Sequence, residues 1–361
     1  MFYSRGGQLD RLFFTRFKVM NIKILLVPFL FFSILNAQDT SDKIKENFAW
    51  QIALEAKMYS TGLLDGVWGQ KSDKTLKEYL IAEGLGDVSS PKSSDEVKKL
   101  LQVDFVNVYT EYEITETDVA QVAEIPLDWN ERAKLPSMSY EALFEVVQGK
   151  FRCSKKALIR LNPTIAPEAY AIGSKLVVPF VRIPPKKRIS RLEINLIEKT
   201  ISGFDASEKK IMFIYCSVAQ SKEKFPGKNG VVANKALNPN YTFNPKYWPE
   251  VTNVTQVLII KPGPKNPVGM AWIGLDLPGY GIHGTPIPDN IGKTGSHGCF
   301  RLTNWHAIQL VGCVDIGTPV TMVGNIPEVE APKPTELKQP AIPHEEPVAP
   351  IEDPQDMSEK K

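Results

Sequence analysis

Residues 283 to 304 place His283-Gly284-Thr285, a stretch rich in Gly and Pro, and then Ser296-His297-Gly298-Cys299-Phe300-Arg301-Leu302-Thr303-Asn304. A thiol, two imidazoles and a guanidinium this close together are the inventory of a cysteine acyl-transfer site. A cysteine attacks as its thiolate, and a reference pKa near 8.5 leaves little thiolate at neutral pH, so a neighbouring base or positive field is required. His283 and His297 can each supply it, because an imidazole takes a thiol proton and later returns it to a leaving amine. Gly298 removes side-chain bulk where a carbonyl must approach, and backbone N–H groups there can hold an oxyanion. Arg301 offers a planar, permanently charged fork for a carboxylate. The chemistry therefore implies an acidic peptide or acyl substrate.

Other uses of the same residues compete with this one. A lone cysteine is most often a small buried hydrophobe. His283, His297, Cys299 and His306 are also potential zinc ligands, but the paired Cys-x-x-Cys spacing of structural zinc sites is absent. No cofactor or metal is therefore expected. A third possibility is that His297 and Arg301 only decorate a loop.

The segment resembles the L,D-transpeptidase catalytic domain of the YkuD-like family, whose signature is a His-Gly pair, a short loop, Ser/Thr-x-Gly-Cys-x-Arg and a nearby Asn. The resemblance implies Cys299 as nucleophile and His283 as general base, with the Gly284 carbonyl orienting the imidazole. Ser296, His297 and Gly298 would form the nucleophile turn, and the amides around Gly298 and Cys299 would hold the oxyanion. Ser296, Arg301 and Asn304 would lie on the substrate side. Relatives carry Asp where this chain has His306, which leaves the role of that carboxylate open. Asn266-Pro267-Val268-Gly269 looks like the family's Asn-Pro-x-Gly turn, and Pro226-Gly227-Lys228-Asn229-Gly230 is a loose match to its Thr-Pro-x-Gly turn.

The elements that must position these residues follow from patterning. From Arg191 to Val323, short β-branched runs alternate with Gly, Pro and Asn clusters, as in 210–216, 255–260 and 319–323, and such runs predict strands. Between Asn304 and Val311 the apolar spacing predicts one short helix. The sum is a mainly β catalytic domain over 184–326, which the resemblance makes a β-sandwich.

Upstream, the chain divides into further parts. Residues 1–37 read as a leader: an apolar run from Ile24 to Leu35, too short to span a bilayer comfortably, ends at Ala37, where a signal peptide would be cleaved. Met20 is an alternative start, and an uncleaved leader is the one expected link to a membrane. Residues 38–100 place Phe48, Ile52, Leu54 and Ala56 at helical spacing, then Gly62-Leu-Leu-Asp65-Gly66-Val-Trp68-Gly69, then a second helix from Asp73 to Leu85. This resembles the small helical peptidoglycan-binding domain, and Asp65 is suited to closing the turn onto the backbone. Residues 101–135 form a connecting segment whose run Phe105 to Tyr112 predicts a strand. Residues 136–183, with Leu161-Asn162-Pro163 and Gly173-Ser-Lys-Leu-Val-Val-Pro179, resemble LysM, an α+β fold of two helices on two strands. Its first strand is not evident before Tyr140.

Pro184-Pro185-Lys186-Lys187-Arg188 predicts a stiff hinge, and residues 327–361, rich in Pro, Glu and Lys, predict a disordered tail. A net charge of +2 over 361 residues and the lack of any nucleotide signature argue against a nucleic-acid partner. Cysteines 153, 216, 299 and 313 form no disulfide framework, and the three besides Cys299 are expected as buried thiols. The resulting expectation is an exported enzyme of the periplasm or cell envelope. It would take a peptidoglycan tetrapeptide stem as acyl donor and an amine as acceptor, with the small modules binding the polymer. A stem hydrolase and a non-catalytic cell-wall-binding protein stay open beside it.

Overall fold

The computed structural model describes residues 27–86, 88–219, 224–248, 250–292 and 298–324, leaving out the side chains of 27–40. Residues 1–26 of the expected leader and all of the expected tail, 327–361, lie outside the described residues. Among the described residues, no helix is long and apolar enough to cross a membrane.

Helix α1 (Val27–Glu55) is enclosed on two sides near its C-terminal end. Phe48, Ala49 and Ile52 enter one apolar cluster, and Trp50, Ala53 and Leu54 enter another. Apolar residues on more than one face require burial on more than one side, and here the helix forms a wall between two clusters, its buried Asn47, Gln51 and Glu55 bonded to neighbouring groups. The turn that follows is closed from both ends. Asp65 Oδ1 accepts from Val67 N at 2.8 Å and from Gln51 Nε2 at 2.9 Å, while Gln51 Oε1 accepts from Gly66 N at 2.9 Å. Gly66 has φ +69°, and a Cβ there would meet the Phe48 ring at 2.6 Å, so only glycine fits. Helix α2 (Gln70–Ala82) starts three residues before the expected Asp73, and α3 (Asp95–Leu101) follows behind a Ser94 cap.

Strand β1 (Tyr109–Glu113) pairs antiparallel with β2 (Lys175–Pro179). No strand stands just before Tyr140; between β1 and α6 runs a segment that carries two short helices, α4 (Glu116–Val119) and α5 (Trp129–Lys134). Helices α6 (Leu143–Phe151) and α7 (Lys155–Leu161) complete this module. Asn162, after α7, ties the helix to the strand: its Oδ1 accepts from Val177 N at 2.7 Å and its Nδ2 donates to Val177 O at 2.9 Å.

The C-terminal half is built on β3 (Arg191–Asn195), β4 (Thr200–Phe204), β5 (Lys210–Tyr215), β6 (Gly230–Leu237), β9 (Ala271–Leu275), β10 (Gly281–His283), β11 (Phe300–Arg301) and β12 (Pro319–Val323). They form one eight-stranded sheet in the order β11-β10-β9-β6-β12-β3-β4-β5. β10 with β11 and β12 with β3 are parallel, and the other pairs are antiparallel. The expected two-sheet sandwich is therefore a single curled sheet. Register shifts at Gly203/Phe204 and Val232/Asn234 bend it. Beyond β5, Ser217 and Arg301 exchange backbone hydrogen bonds of 2.9 Å in each direction, which brings the two ends of the sheet together. Helix α8 (Asn304–Val311) fills the curl, adding Ala307, Leu310 and Val311 to a core with Ile273, Ile282 and Phe300. Each buried Leu, Ile, Val or Phe among them stabilises by about 1.5–3 kcal/mol.

Of the run 255–260, only Leu258–Ile260 is a strand, β8, and it pairs with β7 (Tyr241–Phe243) as a hairpin outside the main sheet. The N-terminal segment covers the β5 edge: Ser60 N donates to Phe213 O at 2.8 Å and Phe213 N to Met58 O at 3.0 Å. Backbone groups of an edge strand that would otherwise be unpaired are satisfied this way.

Candidate active site

Strand pairing arranges the chemistry. In the parallel pair β10–β11, Ile282 lies opposite Phe300 and His283 opposite Arg301. Ile282 and Phe300 point into the core. Side chains alternate faces along a strand, so His283 and Arg301 share the opposite face, and Cys299, one residue before Phe300, shares it too. The Cys299 thiol donates to Gly279 O at 3.5 Å. Among the described residues, no atom stands within 4 Å of where a Gly298 Cβ would be.

His283 is held from two sides. Its Nδ1 lies 2.6 Å from the Gly284 carbonyl oxygen, which as an acceptor keeps a proton on Nδ1 and leaves Nε2 to receive one. Trp272 stacks on the ring at 5.8 Å and 24°, and its indole N–H donates to Asn234 Oδ1 at 3.0 Å. Trp272 also lies across Gly281, where a Cβ would meet it at 2.5 Å. Burial pushes the His283 pKa down to about 4, with the Arg301 charge in the same direction and the Gly284 and Val268 carbonyls opposing. The imidazole is therefore neutral at pH 7 and competent as a base. Burial also pushes the Cys299 thiol up, against the Gly281 backbone and the Arg301 charge.

Gly284 in turn packs directly against Asn304. Asn304 Oδ1 accepts from Met270 N at 3.1 Å, and its Nδ2 donates to Pro264 O at 3.3 Å. A Cβ on either Gly269 or Gly284 would come within 2.2 Å of that Oδ1. Asn304 thus spends its amide on the backbone around the 266–269 turn. Within that turn, buried Asn266 accepts from Val268 N at 3.0 Å and donates to Lys261 O at 2.8 Å. The structure gathers His283, Gly284, Gly298, Cys299, Arg301 and Asn304 around β10, β11 and the start of α8. Ser296 and His297 lie outside the described residues.

His306 points the other way, into the protein. Its Nε2 is 2.9 Å from Glu55 Oε1, its Nδ1 is 2.8 Å from Thr303 Oγ1, and the same Glu55 oxygen pairs with Arg152 Nη1 at 2.9 Å. A carboxylate is present at this corner, but it comes from the end of α1. Glu55, Arg152 and Trp272 carry no local signal, because each acts through partners that its own sequence neighbours do not announce. Cys153, Cys216 and Cys313 are buried free thiols.

Residues 195–322 match the YkuD family, described as the L,D-transpeptidase catalytic domain. A Bacillus licheniformis protein assigned as an L,D-transpeptidase YkuD is 25% identical over 178 residues, 49% of this chain and 92% of the relative. Its Bacillus subtilis counterpart is 27% identical over 178 residues, 49% of this chain and 90% of the relative. Among solved structures, an L,D-transpeptidase from Mycobacterium smegmatis aligns with TM-score 0.31 and 14% identity over 43% of this chain; the chain spans 65% of that protein, just under two thirds. The family match and the two relatives agree with the thiol, imidazole and guanidinium set on one face of β10 and β11: residues 195–322 are an L,D-transpeptidase catalytic domain of the YkuD type, which makes the protein an enzyme of that class.

Proposed function

We propose that the protein is exported and remodels peptidoglycan, using Cys299 to cut the terminal D-alanine from a tetrapeptide stem and passing the acyl group to an amine. The observation that carries this reading is the β10–β11 register, which places Cys299, His283 and Arg301 on one face where the curled sheet closes. At rest both thiol and imidazole are neutral. His283 Nε2 takes the thiol proton as sulfur attacks the carbonyl, and backbone amides near Cys299 meet the developing oxyanion. The carbon–nitrogen bond then breaks, His283 returns the proton to the departing D-alanine nitrogen, and a thioester remains. An acceptor amine attacks the thioester carbon and gives its proton to His283, and the thiol re-forms. The residues resembling peptidoglycan-binding and LysM modules would hold the enzyme on its polymer and raise the local stem concentration.

Mass spectrometry of the full chain with a disaccharide-tetrapeptide tests the reading. The expected result is an acyl adduct on Cys299 with released D-alanine, absent in Cys299→Ala. Crosslinked dimer marks transfer and free tripeptide marks hydrolysis. Release of D-alanine by Cys299→Ala at the wild-type rate refutes the mechanism.

A further inference from the structure

A cavity of about 250 Å3 opens beside Arg301, and its far wall comes from outside the catalytic domain. Trp129 and Arg132 of α5 line it together with Ser217, Lys265, Thr285 and Arg301. The segment between β1 and α6 thus reaches across to the reaction centre. It is firmly seated there. Trp129 stacks on Phe243 at 4.2 Å and 22°, Asp128 bonds the Asn253 amide, and Met138 N donates to Pro262 O at 2.8 Å. Ile125 and Met138 share a buried cluster with Phe243, Leu258 and Ile260 of the β7–β8 hairpin.

The charges in this cavity are unequal. Lys265 is neutralised twice, by Glu141 and Glu145, each at 2.6 Å. Arg132 spends its Nε on the Pro126 carbonyl at 2.6 Å and lies over the Trp129 ring at 4.9 Å. That leaves the two terminal nitrogens of its fork for another acceptor. Among the described residues no carboxylate forms an ion pair with Arg132 or with Arg301. Arg301 is partly buried, which opposes its charged form. A desolvated guanidinium without a counter-ion is costly, and a bidentate carboxylate is the partner that best relieves the cost.

We propose that Arg132 and Arg301 form a subsite for a peptide carboxylate lying within one or two residues of the reacting carbonyl. The distance follows from the strand: Arg301 is two residues from Cys299 on the same face, about 6.5 Å at the rise of a strand. The cavity holds a residue or two of peptide. The proposal rests on the stem-acylation reading for its choice of ligand, and its test is separable from that reading. The carboxylate belongs to the donor stem or to the acceptor, and the two steps of turnover tell them apart.

Binding is measured by calorimetry on the full-length Cys299→Ala chain, with tetrapeptide stems whose carboxylates are free or amidated. The free form should bind at least about tenfold more tightly, the loss expected when a charge-assisted pair is removed. Adding Arg132→Gln should bring the ratio close to one, and Arg132→Lys, the milder change, should leave an intermediate ratio. Equal binding of free and amidated stems overturns the subsite, as does a full ratio in Arg132→Gln or Arg132→Lys. With the native thiol, discrimination during acyl-enzyme formation assigns the carboxylate to the donor, and discrimination only during thioester resolution assigns it to the acceptor. Preserved discrimination in binding together with no acylation of native Cys299 by any stem would sink the stem-acylation reading and leave the subsite standing.

Discussion

A thiol that starts its reaction protonated depends on a base that is free to accept, and His283 meets that condition by being buried. Its pKa of about 4 keeps Nε2 unprotonated over the whole neutral range, while burial holds the Cys299 thiol above the ordinary range. A pre-formed thiolate–imidazolium pair would require the reverse order, with the histidine above the cysteine. Alkylation of Cys299 by iodoacetamide should therefore rise with pH through a midpoint above about 8.5, the usual thiol value, with no plateau between pH 5 and 7. A plateau there would reveal the ion pair and refute this order. The acid limb of kcat/KM should fall only as pH drops through about 4, where His283 becomes protonated. His283→Ala should lower acylation by roughly 100- to 10,000-fold, the usual share of a positioned base, measured as the rate of adduct formation on Cys299. That Cys299, His283 and Arg301 come together was legible in the sequence because a thiol, an imidazole and a guanidinium fall in one short stretch. Trp272 was not, since an indole in an apolar run ahead of His283 looks like core until β9 and β10 are paired.

At the scale of the element, α8 is a positioning device as well as a core helix. Its first residue, Asn304, sits in a slot that only glycine at 269 and 284 leaves open, packed against the same Gly284 whose carbonyl orients His283. Gly284→Ala should cost about 1–3 kcal/mol, the usual penalty for forcing atoms into a packed site, and should slow acylation further by displacing the His283 acceptor. Asn304→Ala removes two backbone hydrogen bonds but also the obstructing oxygen. The double variant should therefore be less destabilised than the sum of the single changes, a coupling read from a double-mutant cycle of denaturant midpoints. Strict additivity would separate Asn304 from Gly284. The extents of β12 and α8 were readable from apolar periodicity, because each is short, continuous and bounded by turn residues. The strand over 255–260 was over-read: the same β-branched composition serves the small β7–β8 hairpin, and periodicity does not say which sheet a strand joins. β1 was visible as a run but not as the partner of β2, because more than sixty residues, α4 and α5 among them, separate the two strands in sequence.

At the scale of the whole molecule, one buried ion cluster ties three segments together. Glu55 ends α1, Arg152 follows α6 in the left-handed conformation at φ 52°, and His306 lies on α8. All three are under 7% exposed, so none is screened by solvent, and removing one leaves the others uncompensated. Such a link is invisible in sequence, since Glu55 and His306 are 251 positions apart and neither lies in a motif that names the other. Burial alone would raise the Glu55 pKa, but His306 and Arg152 outweigh it and hold the carboxyl at about 2. A carboxyl with a depressed folded-state pKa stabilises fully above its unfolded value near 4.5 and loses that contribution as pH falls toward 2. The shift corresponds to roughly 3 kcal/mol. Glu55→Gln should therefore lower the denaturant midpoint of the full chain at pH 7, and the gap to the wild type should narrow steadily from about pH 4.5 downward. Because α8 begins at Asn304 and carries His306, the loosened helix should also slow acylation at pH 7, where the wild-type cluster is intact. A gap that stays constant between pH 7 and pH 3 would show that Glu55 contributes through packing alone, and unchanged acylation would show that the cluster joins the modules without reaching the catalytic face.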